Sequence, residues 1–457
     1  MFIELFLEVV AELRGLAGVI TCLPSTSIDN MVEYVIKEGS LIDGTGAPPK
    51  TLDVKVVDGW VTEIGDVKTS KKTEVIDANG LTVMPGLIEG HNHPLGEREF
   101  SDPGFKKYYD NIVNSPALAL LKGLQVIQGL LFRGITTVRI PHPTIANAPE
   151  LRGEWLVAIR KAVERGYFPA PRVVAGGCVL PTGGHLNSLV PPFVLNPGWK
   201  GADGPWEVRK QARECLQHEV DFIKLIGPGH KRFKPGLGPE HTCMTSVEIA
   251  AAVEEAHWKG VPIAAHAKNG PGLRFAVEEG VDSIEHGTHL IEQPDLIDHM
   301  VEHGQFLVPT LGMFFYKPLV DAYDGAEPGT RDSFEAMRPG LIKNFKECMK
   351  KGVKIASGTD NTYWWAPGVA WEITTYVKQG GMKPMDAIIS ATKTNAENCT
   401  LPDVGTLEVG KKADIILVKG DPLKDIAILQ KRENIKLVMK EGNKIVEDSK
   451  INWPAWP

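Results

Sequence analysis

The sequence predicts an α/β fold: a (β/α)₈ TIM barrel with a small composite β-sandwich domain formed by the N- and C-terminal segments. Between residues 82 and 400, short apolar runs alternate with stretches of helical periodicity, which is the pattern of parallel β/α units. Near both ends of the chain, apolar residues instead recur at every second position between Gly and Asp turn signals. A barrel flanked by strands from both termini accounts for these patterns.

The bulk composition favours a well-packed globular protein. The 457 residues are 43% hydrophobic and 23% charged, a balance that disfavours disorder and a membrane-spanning chain. The formal net charge of -7 provides no basic surface for neutralising phosphates, so nucleic acid is not an expected partner. A small-molecule substrate fits this composition better.

The six cysteines are scattered without a CxxC pair, which argues against a zinc ribbon or a disulfide framework in a chain of this length. A reducing, cytoplasmic location is therefore expected. Residues 1–30 are predicted to be an N-terminal extension, because this apolar stretch contains Glu4, Glu8 and Glu12 and lacks the basic start of a secretory signal. The first recognisable strand follows Met31, which makes Met31 a candidate translation start.

The two terminal segments are predicted to pair into one sandwich. Residues 31–81 contain the β-rich runs VEYVIKEGSLIDGTG and LDVKVVDGWVTEIG, and residues 401–450 contain GTLEVGKKADIILVKGDP and IKLVMKEGNKIVED. Each segment is too short to bury a good core alone, so we expect the two to share one.

Residues 82–400 are predicted to form the barrel, with helical periodicity between successive strands. In TSVEIAAAVEEAHWKG, for example, Thr245 and Ser246 are candidate caps and Gly260 ends the helix. The eight predicted strands are 82–89, 135–140, 172–177, 221–227, 261–267, 282–287, 306–313 and 353–360.

Five of these strands carry residue types that bind metal ions. Strand one runs into His91 and His93, which strand alternation places on one face. The further candidates are Lys224 in strand four, His266 in strand five, His286 in strand six and Asp360 in strand eight. Because the C-terminal ends of barrel strands converge on one site, these side chains would form a nitrogen- and oxygen-rich cage suited to Zn²⁺ or a similar ion.

Each candidate alone has an ordinary explanation. A histidine in an apolar strand is more often a satisfied core residue than a ligand, and a single HxH motif is a weak signal. Lys224 within FIKLI is harder to dismiss, because an unpaired buried charge costs several kcal/mol. The joint appearance of all six residues at strand ends favours a metal centre.

The order HxH, Lys, His, His, Asp, together with the motif PGLIEGHNH, resembles the amidohydrolase superfamily from Met31 onward. FIKLIG, IEHGT and the GGH of residues 183–185 are similar to the prolidase-type and ochratoxinase-type carboxypeptidases. They also resemble the binuclear hydrolases that cleave aryl urea and thiocarbamate herbicides.

This resemblance implies a binuclear metal centre. His91, His93 and Asp360 would hold one ion, and His266 and His286 the second, with Zn²⁺ first and Co²⁺ or Mn²⁺ as alternatives. Lys224 would react with CO₂ to form a carbamate that bridges the two ions, since a free ammonium cannot bind a cation.

The chemistry expected of such a centre is hydrolysis of a C–N bond in an amide, urea or carbamate. Two ions lower the pKa of a shared water and polarise the substrate carbonyl, and Asp360 would be the catalytic residue that passes a proton to the leaving nitrogen. Hydrolysis of an ester, lactone or phosphotriester on the same centre is the alternative. A mononuclear deaminase fits less well, because Asn269 stands where those enzymes carry a glutamate. A non-enzymatic scaffold and a dipeptidase that pairs an arginine with the substrate carboxylate are also weaker interpretations.

Four residues are candidate substrate contacts. His142 follows strand two, His185 strand three, His289 strand six and Trp364 strand eight. For the histidines, a solvent-exposed or loop-orienting role is the alternative. Aromatic residues cluster after strands seven and eight, where they would either line an apolar pocket for an aromatic substrate or pack the barrel top against its loops. Barrels with such a sandwich often associate, so a homo-oligomer is expected.

Overall fold

The computed structural model of the chain contains an eight-stranded parallel sheet and two mixed sheets in the part that it describes. The described residues are 33–96, 115–143, 152–182, 201–228, 242–326, 329–361 and 366–452. The predicted extension over residues 1–30 lies outside them.

The strands are numbered in chain order. They are β1 (Glu33–Lys37), β2 (Ser40–Leu41), β3 (Lys50–Thr51), β4 (Asp53–Val57), β5 (Trp60–Gly65), β6 (Glu74–Asp77), β7 (Leu81–Pro85), β8 (Leu87–Glu89), β9 (Ile135–Ile140), β10 (Arg172–Val179), β11 (Phe222–Ile226), β12 (Ile263–Ala267), β13 (Ser283–His286), β14 (Phe306–Val308), β15 (Lys354–Ile355), β16 (Ile415–Lys419), β17 (Ile435–Lys440), β18 (Asn443–Glu447) and β19 (Lys450–Ile451).

The α-helices of the described residues follow the same numbering. They are α1 (Pro116–Leu131), α2 (Glu154–Glu164), α3 (Pro205–Gln217), α4 (Ser246–Trp258), α5 (Gly270–Glu278), α6 (Pro294–His303), α7 (Gly312–Phe315), α8 (Lys317–Ala326), α9 (Thr330–Lys351), α10 (Val369–Lys378), α11 (Pro384–Ser390) and α12 (Lys393–Asn398). None of them combines the length and apolarity needed to cross a membrane.

The composite sandwich predicted from the two terminal segments is confirmed. One sheet has the strand order β5-β4-β1-β6, and the other has the order β19-β18-β17-β16-β7-β2-β3. The N-terminal strand β7 pairs with the C-terminal strand β16 in antiparallel register. Buried side chains from both segments, among them Val54, Val83, Ile415 and Leu437, form one core. Each segment therefore supplies the apolar partner that the other lacks.

The predicted first barrel strand, 82–89, is in fact divided between two sheets. Residues 81–85 form β7 in the sandwich, and only Leu87–Glu89 belong to the barrel. Gly86 joins them where the chain passes so close to the next barrel strand that a Cβ would lie 2.2 Å from Oγ1 of Thr136. A single apolar run thus serves both units because a glycine allows this close approach.

The TIM barrel is confirmed. Strands β8 to β15 lie side by side in chain order, all parallel where paired. The last strand returns to the first through backbone hydrogen bonds, from the Gly90 amide to the Ser357 carbonyl (2.9 Å) and from the Asp360 amide to the His91 carbonyl (2.8 Å). The seam of the barrel therefore holds the ends of strands one and eight together.

Strand alternation separates the two faces of the barrel wall. Ile223 and Leu225 of β11 pack in the main core with the surrounding helices, whereas Phe222 lies in a separate inner cluster with Ile88 and Val174. Lys224 shares the inward direction of Phe222. This register puts a lysine inside the barrel.

Candidate metal centre

Three of the predicted ligands converge at the closing seam of the barrel. Nε2 of His93 lies 3.1 Å from Oδ1 of Asp360 and 3.2 Å from Nε2 of His91. Nε2 of His91 lies 3.5 Å from the same carboxylate oxygen. Since these donor atoms all lie within 4.8 Å of one another, they fit the requirement that metal ligands face a common centre.

Burial favours the neutral, ligand-competent form of His91. His91 and His93 are buried, and burial lowers the pKa of His91 to about 4. A neutral imidazole keeps a lone pair on one ring nitrogen, which a cation can accept. The donor set, two imidazoles and a carboxylate, matches the ligands that Zn²⁺ and similar ions take.

The second predicted pair is also brought together. Nε2 of His286 lies 2.9 Å from Nδ1 of His266, and the ring centre of His286 is 5.5 Å from that of His91. Both residues stand at the C-terminal ends of their strands, β12 and β13. The two groups of predicted ligands are therefore neighbours in one site.

Lys224 lies buried between strands three and five, and its amine has no hydrogen-bond partner among the described residues. It is 2% exposed, and no side chain or carbonyl in the described part of the chain accepts a hydrogen bond from its Nζ. Burial lowers the pKa of Lys224 to about 8, because the charged form is costly away from water. The amine is thus open to a partner other than the described side chains and carbonyl groups.

Glu285 and Arg139 form a buried charged network behind His91. Oε2 of Glu285 lies 2.5 Å from Nδ1 of His91, and Oε1 accepts a hydrogen bond from the Arg139 guanidinium at 2.8 Å. Although burial alone would raise it, Lys224, His91 and Arg139 hold the pKa of Glu285 well below its usual range. An ionised carboxylate at Nδ1 fixes the ring so that Nε2 faces the other ligands.

Glu285 is not among the ligands predicted from the sequence, although it directly precedes His286. Strict alternation would send these two neighbours to opposite faces of the strand. The backbone of His286 instead has a φ of 74°, so the alternation ends there and both side chains reach the site. Asp360 also has a positive φ, 53°. Such strained conformations at strand ends cluster where function requires a particular side-chain direction.

The predicted substrate contacts divide into three cases. His142 is only 5% exposed, and its ring centre lies 4.6 Å from that of His93, so it is a wall of the site and not an exposed loop residue. His289 bonds the neighbouring Thr288 hydroxyl, and its amide donates to the Lys268 carbonyl, which ties together the loops after strands five and six. His185 and Trp364 lie outside the described residues.

The aromatic residues after strand seven pack within the protein. The ring of Phe314 is buried and lies 4.8 Å from that of Phe334, and Tyr316 lies 4.7 Å from Trp371. For Phe314 and Tyr316, the structure therefore favours the packing role over a pocket lining.

Comparisons with known proteins agree with the expected superfamily. The model of the Amidohydrolase family matches residues 82–445. Ochratoxinase from Aspergillus niger is 27% identical over 445 residues, which cover 91% of this chain and 87% of the relative. The crystal structure of A. niger ochratoxinase matches with a TM-score of 0.77 at 25% identity, over 92% of this chain and 97% of that one.

Two further solved structures have the same architecture. A Xaa-Pro dipeptidase with bound methionine in its active site matches with a TM-score of 0.76 and 28% identity, over 90% of this chain and 98% of that one. Phenylurea hydrolase B, at 22% identity, shares the fold with a TM-score of 0.72 over 93% of this chain and 100% of that one. A divalent metal centre is general in the superfamily, and the group of His91, His93 and Asp360 is compatible with one. Because the family model matches most of the chain, the protein belongs to the amidohydrolase family and is a hydrolase that acts on carbon–nitrogen bonds.

Proposed function

We propose that this protein is a metal-dependent amidohydrolase that cleaves an amide-type C–N bond in a small substrate with an aromatic or apolar group. The observation that carries the proposal is the meeting of five predicted ligands from four strands near the sixth, the buried Lys224, whose Nζ has no hydrogen-bond partner in the described part of the chain. Burying an amine without a hydrogen-bond partner costs free energy in a folded protein. A lysine kept in this position is therefore a candidate functional group.

The residues divide into two sets that would hold two divalent ions. His91, His93 and Asp360 would bind one ion, and His266 with His286 the other. When bound, such ions act as Lewis acids that polarise a carbonyl group and lower the pKa of water. The neutral Lys224 amine would add to CO₂, forming an N–C bond as one C–O π bond of CO₂ opens and releasing one proton, and the resulting carbamate would offer two oxygens that share one negative charge as metal ligands.

Asp360 is the best placed of the ligands to move a proton. Its side chain is 25% exposed, whereas those of His91 and His93 are 2% and 8% exposed. It therefore faces both the other ligands and the barrel mouth, where a substrate would enter. Its carboxylate would accept a proton from the attacking water and donate it to the nitrogen that leaves as the C–N bond breaks.

The amide class is favoured over the urea class by one relative. The Xaa-Pro dipeptidase, which is 28% identical to this chain, is named for a dipeptide substrate. His142, buried against His93, would contact the substrate carbonyl or its leaving group. His185, His289 and Trp364 remain predicted substrate contacts, and the homo-oligomer and the cytoplasmic location remain predictions.

The experiment is a metal analysis followed by a substrate panel. We expect the purified protein to contain Zn²⁺, Co²⁺ or Mn²⁺, and to hydrolyse N-acyl aromatic amino acids faster than aryl ureas, and both faster than lactones. His93→Ala should lose metal and turnover. The matched control is His257→Ala, because His257 pairs with Asp282 and its side chain is 42% exposed. A chain that stays metal-free and inactive after addition of the three ions with bicarbonate would contradict the proposal.

A further inference from the structure

Glu372 has a buried carboxyl group that none of the chemistry described above uses. It stands in the first turn of α10 and has no exposed surface. Its two oxygens accept hydrogen bonds from consecutive backbone amides, those of Leu311 (2.6 Å) and Gly312 (2.5 Å). A carboxylate that binds two adjacent amides holds their peptide planes in one orientation.

The turn that Glu372 binds, residues 310–312, also contacts the candidate metal centre through His286. Thr310 directly precedes these amides, and its Oγ1 lies 2.8 Å from Nδ1 of His286. The φ of Thr310 is 49°, a conformation that a β-branched residue rarely adopts without support from its surroundings. The amides of Leu311 and Gly312 supply that support through Glu372.

The fit between the turn and α10 is close enough to exclude a side chain. Nε1 of Trp371 donates to the Gly312 carbonyl at 3.0 Å. A Cβ on Gly312 would lie 2.6 Å from Oε2 of Glu372 and 2.7 Å from Cδ1 of Trp371. Residues 310–312 and 371–372 are therefore joined by close packing and hydrogen bonds, and we call this contact the Glu372 clasp.

We propose that Glu372 is a positioning residue for His286, acting through Thr310. This inference rests on the proposed role of His286 as a metal ligand. With Thr310 Oγ1 held at Nδ1, the ring proton resides on Nδ1 and donates to the hydroxyl. The lone pair of Nε2 then points toward His266, the second residue of its set.

The test is a double-mutant cycle read by the visible absorption of Co²⁺, which reports the nitrogen ligands of the ion. Glu372→Gln places an amide NH₂ against one of the two backbone N–H groups, and we expect Co²⁺ binding at one site to weaken by about 10- to 100-fold. Thr310→Val should have a similar effect. The double variant should be no weaker than Thr310→Val, because both changes break the same chain of contacts.

Thr310→Ser keeps the hydroxyl and should restore binding to the wild-type level. The matched control is Glu255→Gln, since Glu255 is a buried carboxylate that binds Arg209 and Arg213 on the outer helix layer. It should leave the Co²⁺ spectrum unchanged. If Glu372→Gln does not fold, the Co²⁺ affinities of Thr310→Val and Thr310→Ser are compared instead. The difference between them decides whether the hydroxyl positions His286.

The outcomes separate this inference from the proposed function. If His286→Ala binds Co²⁺ like the wild type, the proposed metal centre is wrong. If His286→Ala loses one ion while Glu372→Gln and Thr310→Val bind both with unchanged spectra, only the positioning role is wrong. Additive losses in the double variant would also overturn it, because they would mean that Glu372 acts independently of Thr310.

Discussion

Nδ1 of His91 and Oε2 of Glu285 meet at 2.5 Å although their strands, β8 and β13, are not neighbours in the barrel. The contact therefore crosses the barrel interior. Glu285 is held in turn by Arg139 and by the Ser283 hydroxyl, each at 2.8 Å. Both groups donate to Oε1, which leaves Oε2 directed at His91. A carboxylate fixed in this way sets the direction of the imidazole that it contacts.

Glu285→Gln should weaken metal binding without removing a ligand. An amide does not provide the ionised acceptor at Nδ1 of His91, and we expect the affinity for Zn²⁺ to fall by about 10- to 100-fold. A competition titration against a chromophoric chelator measures this change. Ser283→Ala removes only one donor to Glu285 and serves as the milder comparison. Unchanged Zn²⁺ affinity in Glu285→Gln would show that the contact does not position His91.

Asp360→Asn should reduce turnover even when metal is saturating. The amide keeps an oxygen but cannot carry a proton between water and the leaving nitrogen, so we expect kcat to fall by about 100-fold or more. The control is Asp298→Asn, because the Asp298 side chain is 61% exposed and pairs only with Lys351 in the described part of the chain. A kcat within a few-fold of wild type at saturating metal would assign the proton transfer to another residue.

Reactivation of the metal-free protein by bicarbonate and Zn²⁺ should depend on pH through Lys224. Only the neutral amine adds to CO₂, and its fraction rises as pH rises through the pKa of about 8. With dissolved CO₂ held constant, we expect the rate of reactivation to increase up to about pH 8 and then to level off. A rate that keeps rising toward the ordinary lysine pKa near 10.5 would contradict burial as the cause.

Gly312→Ala should destabilise the protein, and Gly325→Ala should not. A Cβ at position 312 would meet Glu372 and Trp371 at less than 3 Å, whereas one at position 325 in α8 would meet nothing within 4 Å. We expect the first change to lower the free energy of unfolding by about 1–3 kcal/mol. The second should raise it by roughly 0.4–1 kcal/mol. Urea denaturation of both variants measures the difference, and equal effects would refute the clasp geometry.

Arg172 links the barrel to the sandwich. It starts β10, and its guanidinium donates to Asp414 and Glu441 at 2.7 Å each. Asp414 is only 3% exposed. In Arg172→Met, the buried Asp414 carboxylate would lose its guanidinium partner, so we expect the free energy of unfolding to fall by about 3–5 kcal/mol. Arg274→Met, which removes a pair with the exposed Asp295, should cost about 1 kcal/mol or less. Similar losses in both variants would contradict this assignment.

Much of the fold follows from the hydrophobic pattern. The predicted strand 135–140 coincides with β9, and 221–227 contains β11, because continuous apolar runs between turn signals describe buried parallel strands well. Strand seven was predicted too long: β14 ends at Val308, and residues 312–315 form α7. Since a short apolar run fits a strand and a buried helix equally, periodicity does not separate them here.

The site was predicted as a set of residue types, not as a network. The six predicted ligands lie together because barrel topology brings strand ends to one place. Glu285 and Glu372 were not predicted, because their partners are far away in the sequence. Local sequence patterns carry no information about such distant contacts.

Because the seam joins the first and last strands of the barrel, the site is completed only when the last strand has been made. The ends of strands one and eight, bonded from Gly90 to Ser357 and from Asp360 to His91, contribute residues from the opposite limits of the barrel sequence. A nascent chain still short of strand eight holds His91, His93 and Glu285 but lacks Asp360. The group of His91, His93 and Asp360 is therefore complete only after strand eight has been made and has joined strand one.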